Sequence, residues 1–133
     1  MKKILLLLSF LSSTVFAKAA APDAKAVYEH FDKYANQTST ELDGDVMKDV
    51  EAFANLKLNS KTDLKFVQNV LVTLIKLDQE DPSRTAVMIL GPSYGKNKKL
   101  YQMAFALVKD EKNKVQVEEM EALMKTFSIL GNG

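Results

Sequence analysis

SKTDLKFVQNVLVTLIKL, residues 60 to 77, is the stretch on which the fold class turns. Leu64, Val67, Leu71, Leu74 and Ile75 recur at intervals of three and four, which places them on one face of an α-helix; a strand would need alternation. Ahead of them, Ser60-Lys-Thr-Asp63 resembles a capping box with Asp in place of the usual Glu, its side-chain oxygens taking the otherwise unpaired first N–H groups. The spacing therefore predicts a helix at the centre of the core.

The flanking segments carry the same period. Ala24, Val27, Tyr28, Phe31, Tyr34 and Ala35 form a stripe that Asp23 is placed to cap, and polar Asn36 to Thr40 reads as a loop. A second helix near residues 45–58 follows Gly44 and carries Val46, Val50, Phe53 and Ala54. Asp81-Pro82 opens a fourth helix over residues 82–90, which Gly91-Pro92 is expected to end, although Ala86 to Leu90 taken alone also fits a strand. Leu100, Met103, Ala104, Leu107 and Val108 make one stripe; Met120, Leu123, Met124, Phe127 and Leu130 make another. From Val108 to Met120 is twelve residues, which at about 100° each sets the second stripe out of phase with the first by about a third of a turn. Two helices are predicted, broken within Asp110 to Lys114, the second stopped at Gly131-Asn-Gly133. The expected fold is all-α, a compact orthogonal bundle of five to six helices.

The first residues have a different character. Lys2 and Lys3, the apolar run Ile4 to Leu11 interrupted by Ser9, and Val15-Phe16-Ala17 have the layout of a secretory signal peptide. A membrane anchor needs about 20 apolar residues, and Ser12, Ser13 and Thr14 end this run too early. We expect residues 1–17 to be a signal peptide, 18–22 a short linker and 23–133 a single helical domain, with Ala17-Lys-Ala19 and Ala19-Ala-Ala21 as alternative cleavage points. The two-lysine start suggests a bacterial protein, periplasmic or secreted. Without cysteine there is no disulfide framework, no thiolate metal site and no lipid attachment at a cysteine.

Removing 17 of the 133 residues, Lys2 and Lys3 among them, leaves 116 residues with 16 basic and 17 acidic side chains. That length suits one core, and the balanced charge argues against nucleic acid as partner. The stretch LGPSYGKNKK, residues 90–99, is the first candidate site. A P-loop needs four residues between its glycines and a hydroxyl after its lysine; here three separate Gly91 from Gly95, and Asn97 follows Lys96. Ser93 and Lys96 have the Ser-x-x-Lys spacing, but that mechanism needs both on a helix with a desolvated lysine, and Pro92 and Gly95 argue against the helix. Two readings are left: a connector, or an anion-binding surface of Lys96, Lys98 and Lys99 at a helix start, with Tyr94 and Tyr101 placed to stack on a ligand or partner.

Residues 100–127 resemble an EF-hand in their helix flanks, with Tyr101, Ala104, Phe105 and Val108 as entry and Val115, Met120, Leu123, Met124 and Phe127 as exit. The implied loop, Lys109 to Glu119, has a lysine in the first ligand position and no turn glycine, so helix-loop-helix geometry without metal is expected. His30 borders an apolar stripe and reads as structural; Asp43-Gly-Asp45 and Asp78 to Asp81 read as caps, and methionines 47, 88, 103, 120 and 124 as core filling. The function expected is that of an exported, non-enzymatic envelope protein that binds another macromolecule, a protein or anionic envelope component, through Tyr94, Lys96, Lys98, Lys99 and Tyr101, with no cofactor, no metal and no catalytic residue. The alternatives are a carrier enclosing an apolar or anionic small ligand and, behind it, a small hydrolase.

Overall fold

The structure is a computed structural model of the 133-residue chain, in which residues 24–38, 45–77 and 82–132 are described. The expected signal peptide, the linker, the caps Asp23 and Asp81, and Gly44 lie outside the described residues. Six helices follow in order: α1 Ala24–Ala35, α2 Val46–Ala54, α3 Leu64–Leu77, α4 Pro82–Lys96, α5 Lys98–Val108 and α6 Lys114–Asn132. Among the described residues there is no strand, and Ala86 to Leu90 is helical.

α3 is central, as its apolar run predicts. Val67, Val70, Leu71 and Leu74 are fully buried, and α3 packs against α1 and α5, while α4 packs against α2 and α6. Burying each such side chain contributes roughly 1.5–3 kcal/mol. Phe31, Tyr34, Val50 and Phe53 join the same cluster from α1 and α2, with Phe31 and Phe53 edge to face at 5.9 Å.

The start of α3 departs from the expected capping box. Ser60 is exposed; Asp63 is the residue before the helix, its carbonyl accepting from Val67 N. Its carboxylate turns back to accept from Asn59 N at 2.6 Å and from the Tyr28 hydroxyl at 3.4 Å, so it anchors the preceding loop and α1. At the other end, Lys76 Nζ donates to the carbonyls of Tyr34 (2.8 Å), Ala35 (2.7 Å) and Gln37, where α1 ends. These are the orphan acceptors of a helix terminus, where a cation is favoured. Ties at both ends set α1 and α3 side by side with the same direction.

Three boundaries differ from the sequence reading. α2 stops at Ala54, where the Asn55 N–H donates to the Ala52 carbonyl and the Leu56 N–H to the Phe53 carbonyl. α6 passes through Gly131 to Asn132. The larger correction is that α4 does not end at Gly91-Pro92 and continues through both to Lys96. Gly91 is where α4 crosses α6: a Cβ there would lie 2.8 Å from Phe127 C, 2.9 Å from Phe127 Cβ and 3.0 Å from Ser128 N. Pro92 removes the N–H that would bond the Met88 carbonyl, but Pro92 and Met88 are both exposed, so water can serve that acceptor.

Candidate functional site

Because α4 runs on, the stretch 91–99 is a helix–helix corner. One residue, Asn97 (φ −134°, ψ 44°), separates α4 from α5. Its N–H donates to Tyr94 O (3.1 Å), its side-chain amide donates to Ser93 O (2.8 Å), and its carbonyl accepts from Tyr101 N (3.0 Å). With its side chain spent on α4, Asn97 does not cap α5, whose first turn has no side-chain cap. Unpaired N–H groups at a helix start favour anions.

The two tyrosines are not available for stacking on a partner. Tyr94 and Tyr101 are 1% and 0% exposed and pack edge to face at 5.6 Å. Ser93, also buried, shares a 2.8 Å hydrogen bond with the Tyr101 hydroxyl, and burial holds the proton on that hydroxyl well above the usual tyrosine range despite the serine contact. The packed rings of Tyr94 and Tyr101 and the Ser93–Tyr101 hydroxyl pair fasten α4 to α5. Ser93 and Lys96 do lie on one helix, contrary to the expectation, but Ser93 is held by Tyr101 and Lys96 is exposed, so the desolvated base of a Ser-x-x-Lys mechanism is missing.

Lys96, Lys98 and Lys99 are brought together at the surface, all exposed. Two adjoining hollows lie beside them, of about 470 and 490 Å³, with Leu58, Lys96 and Asn97 in both walls. The facing wall is the segment after α2, which adds Lys57, a fourth cation that sequence reasoning missed. No acidic side chain lines either hollow among the described residues.

The EF-hand-like segment has no long loop. α5 ends at Val108 and α6 begins at Lys114; Asp110 Oδ1 accepts from Lys112 N and Asn113 N, both at 2.9 Å, while Asn113 Oδ1 accepts from Asp110 N at 2.7 Å. That reciprocal pair is a helix start, and Asn113 Nδ2 also donates to Val108 O at the end of α5. Among the described residues no group of three or more His, Asp or Glu side chains is arranged to hold a metal ion.

His30, half-exposed, places Nδ1 3.0 Å from Asp49 Oδ1, and Asp49 Oδ2 accepts from the Tyr34 hydroxyl at 2.6 Å. The arrangement ties α1 to α2. A further feature was not anticipated: a groove of about 570 Å³ between α1 and α3, floored by stacked rings of Tyr28 and Phe66 with centroids 3.7 Å apart and planes within 4°. Asn69, 4% exposed, lines it. The sequence signal was an Asn in the apolar run of α3, where Leu or Val would serve packing better. Compared with known protein families, characterised proteins and solved structures, the chain shows no match.

Proposed function

We propose that this chain is an exported, non-enzymatic binding protein of the bacterial envelope, an orthogonal helical bundle released by loss of its first 17 residues, that holds an anionic part of another macromolecule at the α4–α5 corner. The observation that carries the reading is the concave face on which Lys57, Lys96, Lys98 and Lys99 stand with no lining carboxylate, beside an uncapped helix start. Lys98 and Lys99 occupy the first turn of α5, where cations oppose the helix dipole. A local arrangement unfavourable for the helix is expected at functional sites. The partner is a protein or envelope component with clustered negative charge.

The test is capture. The mature protein is crosslinked in intact cells and its partner identified, then capture is compared at low and high salt for wild type and the variant Lys96→Gln, Lys98→Gln, Lys99→Gln. Exposed charges are screened over about 8 Å at physiological ionic strength, so wild-type capture falls with salt and the variant captures weakly at equal helicity by circular dichroism. Equal capture by both proteins at both salt levels would reduce the corner to a connector.

A further inference from the structure

The α1–α3 groove is built differently from the lysine corner. Asn69 is the informative residue: it is 4% exposed, lines the groove, and its side chain makes no hydrogen bond among the described residues, the Asn69 atom that accepts from Thr73 Oγ1 being the backbone carbonyl. An Asn side chain carries two N–H donors and a carbonyl acceptor, and what little of Asn69 is exposed lies at the groove it lines. It offers to a ligand what the protein does not satisfy.

The surroundings restrict that ligand. Tyr28 and Phe66 provide an apolar floor, and the Tyr28 hydroxyl is turned away toward Asp63. The charges along the groove are ordered. Because Tyr28 sits at the level of Phe66 and Tyr34 at the level of Lys76, α1 and α3 run in parallel, which sets Lys65 (α3) with Lys25 (α1) at one end and Asp32 with Asn69 toward the other, Glu29 between them. Lys25 and Asp32 are seven residues apart, about 10 Å along the axis. An extended peptide of three residues spans about 10 Å.

We infer that this groove binds an extended peptide segment of about three residues, acidic at the Lys65 end, apolar over Tyr28 and Phe66, and basic at the Asp32 end, with one of its backbone amides paired to Asn69. A peptide group presents one N–H and one C=O, the complement of the Asn69 amide. The opposed end charges fix the orientation of the segment, and the aromatic floor takes its middle side chain.

Two capped tripeptides serve as probes in calorimetric and NMR titrations of the whole protein: acetyl-Glu-Leu-Lys-amide and the neutral acetyl-Ala-Leu-Ala-amide. The charged peptide is expected to bind saturably and more tightly than the neutral one, moving the Asn69 side-chain amide signals. Asn69→Leu should weaken it about tenfold, the size of one lost buried hydrogen bond, while melting no lower than wild type. Lys65→Glu, an exposed change that leaves the core alone, should weaken the charged peptide and leave the neutral one unchanged. The inference is independent of the lysine corner, so the triple Gln variant should bind the charged peptide as wild type does. Absence of saturable binding, unchanged affinity in Asn69→Leu, or loss of binding in the triple Gln variant would each overturn it.

Discussion

Gly91→Ala tests the central packing of the bundle because two effects of opposite sign meet there. In a helix interior Ala is favoured over Gly by about 1 kcal/mol, so at an open position the change would stabilise. Here the new Cβ meets Phe127 C at 2.8 Å, Phe127 Cβ at 2.9 Å and Ser128 N at 3.0 Å. Two of the three are backbone atoms of α6, with no rotamer to move aside, so relief requires separating α4 from α6, two packed helices that give buried Leu90, Met120 and Met124 to the core. Overpacking of this kind costs about 1–3 kcal/mol. With backbone as the obstacle we take the upper half of that range, leaving a net loss of about 1–2 kcal/mol after the helix-propensity gain. For a domain of this size that lowers the melting temperature by roughly 5–10 °C. Urea and thermal unfolding followed by circular dichroism measure it, and Gly91→Val should lose more. A Gly91→Ala protein as stable as wild type, or more so, would refute the close crossing and with it the reason given for a glycine inside α4.

Lys76→Met keeps the aliphatic stem of the side chain and removes the donor that serves the end of α1; the expected loss is about 1.5–3 kcal/mol, the range for hydrogen bonds to charged groups, read from urea midpoints. The Tyr101 hydroxyl is raised by burial above its ordinary value of 10.0, so the folded state keeps a proton that the unfolded chain releases. Its contribution is therefore complete below pH 10 and declines as pH rises beyond it; tyrosinate absorbance should show this ionisation only together with unfolding, and a Tyr101 titration at the ordinary value in folded protein would contradict the burial. Millimolar calcium should leave the melting temperature unchanged, because Asp110 and Asn113 are spent on the start of α6; a saturable rise would show a cation site.

The helices were legible in the sequence because apolar period is a local property. Val27, Phe31, Val50, Phe53, Val67, Leu71 and Leu74 are buried as their spacing predicts. Gly91-Pro92 misled for a physical reason: both residues disfavour helix locally, and packing of α4 on α6 outweighs them. Two residues therefore sit in the opposite environment to the one expected. Tyr94 and Tyr101, read as surface aromatics flanking a loop, become core once that loop is helix. The clustering of Lys96, Lys98 and Lys99 was visible along the chain, whereas Lys57 joins them only through the fold. The α1–α3 groove is less legible still, since Tyr28, Phe66 and Asn69 meet only after two helices align, and nothing in the spacing of either helix announces it.

Asn97 has one more implication, for the thermodynamics of association. Nine flexible residues at 91–99 would have to be ordered when a partner engaged the lysines, at about 1–2 kcal/mol of conformational entropy for each residue fixed. In the helix corner that freedom has already been given up during folding, through the three backbone and side-chain bonds that Asn97 makes. Only the lysine side chains would be left to lose motion, so an anion bound as proposed would meet backbone that is set in advance. Association at this corner should then show a smaller unfavourable entropy than capture by a loop of equal charge, and a rate governed by diffusion and salt.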